Sequence, residues 1–475
     1  MSKFKILSLQ LISIIFVFWY SVPYSYSNEL SRPENIKTLT LHIPEDLDAS
    51  KTISYNSILL IDNLFPRLFR INENLQFEGE VANSWKVDQN KKIIYVEIDN
   101  TSKFSDGSYI TTKDIASSIS RIIDPKSLPG FFFKNIKKIT ALNEKLIAIN
   151  YVGWDVAVLN QLGSPFLPIY KNGKSPFKND PSSWITSSRY SIRKWSNDEL
   201  AMNVFGKDIK SLSVETFEKV KDNLSSIDLM ISRLNWISSD TLKKQINNQF
   251  NTYVFDSFNI SVIMANIKLE SEYRKCLAFK SLNNKDFLSS MGELRIKSIL
   301  PPSMFSYDSN LKLLPVPKPK NSRNIKFMVQ KADSLVFNIF EQFKTLAKDC
   351  NLNVEIDEVN NTTYINKLIK HEFDLAYVTI SVLYNDPFFV FSFFHRDSRF
   401  NFSGSNQKIS KMVDDFPNSQ NQYEALIKSK ALQKEIISEG LAIPLITVKS
   451  MSFVRKPLTL KGHSLFDVTR WEDVL

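Results

Sequence analysis

The chain has 475 residues, of which 43% are apolar and 23% charged, and its formal net charge is +10. This length exceeds one ordinary hydrophobic core, so at least two lobes are predicted. Acidic residues are interspersed among the basic ones and no long lysine/arginine block occurs, so the composition predicts a solvated basic surface and no nucleic-acid partner.

Residues 1–27 are typical of a secretory signal peptide. Two lysines precede an apolar run over residues 6–20, and small residues then stand where a signal peptidase reads. We predict cleavage after Ser27 and a periplasmic location. No cysteine lies near the cleavage point, which excludes lipid attachment there. The alternative is an uncleaved membrane anchor, because Trp19 and Tyr20 could lie at a bilayer interface.

Residues 81–125 predict a strand, a tight turn and a capped helix. Apolar residues alternate with polar ones over 93–98, which is the period of a half-buried strand. Gly107 supplies the positive φ of a sharp reversal. Thr111 and Asp114 have the spacing of a capping box, and the helix is predicted to end at the next Asp-Pro pair.

The order of these residues resembles the signature of the family-five extracellular solute-binding proteins. The segment reads Ala-x-Ser-Trp at 82–85, Lys-Phe-Ser-Asp-Gly at 103–107 and Thr-x-x-Asp-Ile at 111–115. Members of that family are the oligopeptide-, dipeptide- and nickel-binding components of bacterial ABC importers. The resemblance covers nearly the whole mature chain, and it is weaker from about 130 to 260. It implies an α/β, two-lobed periplasmic binding protein fold (type II, three-domain variant) with a hinge and a central cleft.

The resemblance also implies where the lobes begin and end. Asn266 matches the residue that ends a strand where the chain crosses to the second lobe, and Ile-Pro-Leu at 443–445 matches the returning strand. The predicted boundaries are 28–265 for the first lobe, with a smaller subdomain at about 50–160, then 266–446 for the second lobe and 447–475 for the return to the first lobe.

Within the second lobe, residues 324–379 alternate strand and helix patterns. Such alternation predicts a mostly parallel sheet with helices on its faces.

Two positions of the first lobe carry further expectations. Trp85, in the Ser-Trp pair, is predicted to be a core residue. Residues 187–190 read Ser-Ser-Arg-Tyr, whereas the family carries Gly-Thr-Gly-Pro-Tyr. Because both glycines are lost, the easy positive-φ positions are lost with them, and a different loop is predicted.

The sequence contains no recognisable catalytic or metal-binding motif. There is no Gly-x-Ser-x-Gly elbow, His-Glu-x-x-His pair, phosphate loop or dinucleotide fingerprint. The four histidines are scattered. Cys276 and Cys350 fit an exported protein either as one disulfide or as two buried thiols, and the sequence leaves both open. We therefore predict a binding protein that is not an enzyme and has no metal or cofactor.

The candidate cleft loop comprises Leu383, Tyr384, Asn385, Asp386 and Asn401. In the peptide-binding relatives, an aspartate four residues before the proline of an Asp-Tyr-x-x-Pro segment pairs with the α-amino group of the ligand. Leu383 occupies that position here and cannot pair with an ammonium group, and an unpaired buried charge is costly. The substitution predicts that peptides with a free amino terminus bind poorly and that the ligand is a blocked, modified or non-peptide solute. The alternative is that another acid takes over the role, with Asp386 as the candidate.

The resemblance implies a periplasmic solute-binding protein that captures a small peptide or peptide-like solute between its lobes and delivers it to ABC permease subunits. A ligand that touches both lobes would favour their closure. The alternative, from another class, is an exported scaffold or sensor that kept the fold without transport. Neighbouring genes for two permease subunits and two ATPases would favour transport.

Overall fold

The computed structural model describes residues 34–474 except 41, 73, 207–208, 221–222, 234–248, 331–333, 405 and 462–469. The predicted signal peptide and its cleavage point lie outside the described residues. Within the described part of the chain, no helix is both long and apolar enough to cross a membrane.

Strands and helices are numbered in chain order. The strands are β1 (Asn35–Thr40), β2 (Phe69–Ile71), β3 (Phe77–Gly79), β4 (Ala82–Asp88), β5 (Ile93–Ile98), β6 (Ile136–Ala141), β7 (Leu146–Tyr151), β8 (Tyr190–Trp195), β9 (Glu199–Val204), β10 (Ser211–Thr216), β11 (Leu229–Arg233), β12 (Phe250–Ala265), β13 (Arg323–Gln330), β14 (Leu352–Val359), β15 (Leu375–Ser381) and β16 (Ala442–Arg455). The helices are α1 (Tyr55–Leu64), α2 (Thr112–Ile123), α3 (Asp155–Leu162), α4 (Phe217–Val220), α5 (Ser271–Asn283), α6 (Ser334–Lys348), α7 (Asn361–Lys370), α8 (Phe388–Phe391), α9 (Gln407–Asp415) and α10 (Gln422–Ser438).

Ten strands form one sheet in the order β14-β13-β15-β12-β16-β11-β1-β10-β9-β8. At one end, β13 pairs in parallel with both β14 and β15. The helices α6 and α7 make the connections between these three strands. The alternating strands and helices predicted over 324–379 are therefore confirmed.

The two long strands β12 and β16 lie in the middle of this sheet and connect its two halves. Residues 250–255 of β12 pair with the last residues of β16, which also pair with β11. Beyond an irregularity between Phe255 and Asn259, β12 pairs with β15 on one side and with the start of β16 on the other. Here the Ser257 hydroxyl donates to Val448 O at 2.5 Å, and Asn259 Nδ2 donates to Ser257 Oγ at 2.9 Å.

A separate four-stranded sheet, β4-β5-β7-β6, packs against α2, and it contains the first strands of the segment 81–125. Thr111 and Asp114 form the predicted capping box, because Thr111 N donates to Asp114 Oδ2 at 2.9 Å and Asp114 N donates to Thr111 Oγ1 at 3.2 Å. Gly107 takes the predicted left-handed conformation, with φ of 83°. The helix ends at Ile123, with Asp124 as its C-cap, as predicted.

The prediction that Trp85 is a core residue is wrong. Trp85 lies on β4, the edge strand of the small sheet, and 36% of its surface is exposed. Its ring contacts Phe69 edge to face, with the ring centroids 5.1 Å apart. Most of β4 is exposed on both faces.

The structure decides between the two alternatives for the cysteines. Cys276 on α5 and Cys350, which follows α6, form a disulfide, with their Cα atoms 5.8 Å apart. The bond joins two neighbouring helices and spans 74 residues of chain.

Candidate ligand-binding site

The residues after β15 leave the sheet and enter a core rich in phenylalanine. Leu383 is buried there among apolar side chains, so its position is closed to solvent. Tyr384 is also buried, and its hydroxyl donates to Phe132 O at 2.6 Å. Burial raises the pKa of Tyr384, so this hydroxyl stays a donor.

Aromatic packing attaches the segment Gly130–Phe133 to the Phe-rich segment that follows β15. The ring of Phe132 lies 4.6 Å from Phe389 and 5.7 Å from Phe400, measured between centroids. Phe133 lies 6.0 Å from Tyr384. Polar contacts extend the same interface. Lys134 Nζ lies 2.7 Å from Asp414 Oδ1, and Asn135 Nδ2 donates to Pro417 O at 2.8 Å. The predicted small subdomain is thereby packed against the predicted second lobe.

Beside this contact lies a cavity of about 140 Å³, which we call the Asp386 cavity. One wall comes from the start of α3 and the loop before β6, and the other comes from segments on the far side of β12 in the chain. The lining residues are Asn135, Trp154, Val156, Ala157, Asn160, Phe305, Asn385, Asp386, Phe416, Pro417, Ser419, Gln422 and Ala425.

Asp386 is the one acidic side chain of this lining, and it is only 3% exposed. Its Oδ1 accepts from Phe388 N at 2.9 Å, and its Oδ2 accepts from Gln161 Nε2 at 3.3 Å. Within the described part of the chain, no lysine, arginine or histidine forms an ion pair with it. Burial therefore raises the pKa of Asp386 to about 6, and these two hydrogen bonds oppose the rise only partly.

Two amide oxygens near this carboxylate are buried without a hydrogen-bond partner in the described residues. One is Asn385 Oδ1, on the cavity lining, and the other is Gln161 Oε1, which does not line the cavity. The Gln161 amide nitrogen bridges Asn135 Oδ1, at 2.9 Å, and Asp386. Buried polar atoms normally have partners, so an unsatisfied acceptor at a cavity wall offers a position for a donor, from a water molecule or from a ligand.

The remaining walls are largely apolar. Trp154 and Phe305, which both line the cavity, contact each other edge to face, with their ring centroids 5.8 Å apart. A concave apolar pocket with a few placed polar groups is typical of small-molecule sites.

The structure brings together Asn385 and Asp386 from the predicted loop, and it places the other three residues elsewhere. Leu383 and Tyr384 lie in the core, and Asn401 shapes its own turn by accepting from Gly404 N at 2.9 Å. Sequence reasoning missed the opposite wall altogether. The one available signal was a glutamine inside the apolar helix α3, at position 161, where a polar side chain needs a buried partner.

A second pocket, of about 170 Å³, is polar and is lined by segments between residues 62 and 190 and by Arg470, and the charges around it pair with each other. Arg67 Nε lies 2.9 Å from Asp62 Oδ1, and Arg470 reaches both Asp62 and Glu80. Although burial disfavours ionisation, Arg470 and Arg70 lower the pKa of Glu80 to about 2. We call these five residues the arginine network. Nowhere in the described ranges do three or more His, Cys, Asp or Glu side chains cluster as metal ligands would.

Comparison with known proteins gives a family match over part of the chain and a fold. Residues 76–205 match the sequence model of bacterial extracellular solute-binding proteins, family 5 Middle. The chain is 34% identical over 88 residues to the periplasmic murein peptide-binding protein MppA of Escherichia coli, a match that covers 18% of this chain and 16% of that relative. It is 20% identical over 449 residues to the probable D,D-dipeptide-binding periplasmic protein DdpA of Escherichia coli, covering 84% and 85% of the two chains.

Among solved structures, the oligopeptide-binding protein AppA of Bacillus subtilis, in complex with a nonapeptide, superposes with a TM-score of 0.74 at 12% identity, over 93% of this chain and 98% of that one. The predicted family resemblance and fold class are thus confirmed. The fold is that of the type II periplasmic binding proteins.

Proposed function

We propose that this chain, which matches family five of the bacterial extracellular solute-binding proteins, is the solute-binding component of an ABC importer. It captures a small peptide or peptide-like solute and delivers it to permease subunits in the membrane. The observation that supports this best is the Asp386 cavity, because one of its walls precedes the crossing strand β12 in the chain and the other follows it. The protein itself catalyses no reaction in this proposal.

The mechanism follows from the two crossing strands. A solute that contacts both walls of the cavity stabilises the arrangement in which the walls are close together. The irregularity between Phe255 and Asn259 interrupts the pairing of β12 with β16, so we place the hinge there. Binding energy is then converted into the closed shape that a permease recognises.

The protein is exported in this proposal, and the signal peptide is cleaved after Ser27. Amino-terminal sequencing of the mature protein should then begin at Asn28. Intact Met1 in a membrane fraction would instead support the anchor alternative.

Two measurements test the proposed function. Mass spectrometry of small molecules released from the purified mature protein should identify a bound solute, because a closed cleft retains its ligand. Small-angle X-ray scattering should then show a smaller radius of gyration with that solute than without it. An unchanged radius at saturation, together with a gene far from any permease, would favour the scaffold or sensor alternative.

A further inference from the structure

We infer that the Asp386 cavity binds the ammonium group of a small amine-bearing solute, with Asp386 and Asn385 as the acceptors. This inference rests on the proposed function and specifies its ligand. A primary ammonium carries three donors and no acceptor. The acceptors at this wall are the Asp386 carboxylate, which has two hydrogen bonds but no counterion in the described residues, and Asn385 Oδ1, which has no hydrogen-bond partner there. Ligand and wall are therefore complementary.

The protein supplies no counterion of its own in the described residues. Two lysines on the neighbouring elements form ion pairs with other residues: Lys134 with Asp414 at 2.7 Å, and Lys428 with Asp415 and Glu424 at 2.9 and 2.8 Å. A buried carboxylate without a cation must either take up a proton or receive a cation from outside. A cationic solute meets this requirement at the wall of an open cavity.

The other walls suit the carbon skeleton of such a solute. Trp154 and Phe305 present aromatic surface, which attracts cations as well as apolar groups. Val156, Ala157 and Ala425 add aliphatic surface. An apolar cavity of about 150 Å³ in another protein accommodates benzene. The Asp386 cavity, at about 140 Å³, therefore fits an amine whose carbon skeleton is about the size of benzene.

Asp386, and not Leu383, is the residue of this loop that can bind an amino group. Leu383 is apolar and is buried in the core. Asp386, three residues further along, reaches a different cavity on the side of α3. A blocked solute, as Leu383 alone predicts, would leave the acceptors of this cavity unsatisfied.

Calorimetric titration of the mature protein tests the inference with two molecules of similar shape. Benzylamine is cationic and benzyl alcohol is neutral, so their difference reports the charge. At about pH 7.5, benzylamine should bind at least roughly tenfold more tightly than benzyl alcohol. A dipeptide and its N-acetyl form make a second matched pair, and acetylation should weaken binding by a similar factor.

The variant Asp386→Asn should remove the preference for the amine, because it keeps the shape of the side chain and deletes the charge. The control Asp397→Asn removes an exposed aspartate outside the cavity and should leave the preference unchanged. Ala157→Phe should fill the cavity and abolish amine binding while thermal melting still reports a folded protein. Amine preference that survives either Asp386→Asn or Ala157→Phe would overturn the inference.

The outcomes separate this inference from the proposed function. A neutral copurified solute that compacts the protein, with no amine preference, would overturn the inference and leave the proposed function intact. Amine binding that depends on Asp386 without any compaction would support the inference and contradict transport. Absence of any bound solute and of any compaction would contradict both.

Discussion

The arginine network pairs its carboxylates with cations, whereas the carboxylate of the Asp386 cavity has no cation partner in the described residues. Glu80 is held between Arg70 and Arg470, and its pKa is lowered to about 2. Asp386 is more deeply buried, meets no cation in the described chain, and has a pKa raised to about 6. A charge that the protein pairs internally serves the fold, whereas a charge left unpaired at a cavity wall is available to a ligand.

The two carboxylates therefore influence stability in opposite directions as pH changes. The folded pKa of Glu80 lies below its ordinary value of 4.5, so its contribution is present above pH 4.5 and is lost as pH falls towards 2. The folded pKa of Asp386 lies above its ordinary value of 3.8, so its contribution is complete below pH 3.8 and is lost as pH rises through about 6.

The largest expected effect comes from breaking the arginine network. Arg67→Met keeps most of the buried stem and removes the charge that pairs with Asp62 at 2.9 Å. Because a buried aspartate is then left short of its partner, we expect unfolding free energy to fall by about 3–5 kcal/mol. Urea denaturation followed by circular dichroism measures this. A loss below about 1 kcal/mol would show that the network is not important for stability.

The matched variant in the cavity, Asp386→Asn, should increase the unfolding free energy instead of lowering it. Asp386→Asn removes a buried charge that has no counterion in the described residues. A pKa near 6 instead of 3.8 corresponds to an upper limit of about 3 kcal/mol at neutral pH. We therefore expect the unliganded variant to gain about 1–3 kcal/mol at pH 7.5 and nothing at pH 3.5.

The same urea denaturation, repeated at several pH values, measures this gain. The Asp397→Asn variant, which changes an exposed aspartate, should track the wild type throughout. A loss of stability in Asp386→Asn at pH 7.5 would mean that the carboxylate is already paired in the unliganded protein.

The pH dependence of amine binding should follow the same group. An ammonium pairs with the ionised form of Asp386, so benzylamine affinity should fall about tenfold for each pH unit below 6 and level off above it. Calorimetry between pH 4.5 and 8 checks this. A flat profile in the wild type, or an equal slope in Asp386→Asn, would point to another titrating group.

Sequence patterns predicted the features that depend on near neighbours. The capping box at Thr111 and Asp114, and the alternating strands and helices after β12, are determined within a few residues of chain. The prediction that Trp85 is buried was wrong because β4 is an edge strand with no neighbour on one side, and the sequence does not show which strand lies at the edge. The disulfide was left open because the distance between Cys276 and Cys350 depends on how α5 packs on α6.

The candidate cavity contains two of the five residues of the predicted loop, and the same reason explains why. Asn385 and Asp386 lie within one motif, so the family resemblance could point to them. Trp154 and Phe305 lie far away in the chain, and only the folded arrangement brings them to the cavity. Nothing in the residues around 386 shows that a cation is missing, because the absence of a partner is a property of the packed structure.

The smallest expected effect concerns the aromatic wall and sharpens the role of the charge. Trp154→Leu keeps an apolar surface and removes the indole ring that lies edge to face with Phe305. Cation–π attraction at a partly exposed site contributes about 0.5–1 kcal/mol, so benzylamine affinity should fall about two- to fivefold. Benzyl alcohol has no charge to attract, so its affinity should change less. Calorimetric titration of both molecules against both proteins measures the difference. Equal losses for the amine and the alcohol would show that the ring contributes only apolar contact, which would leave Asp386 and Asn385 as the whole basis of amine selectivity.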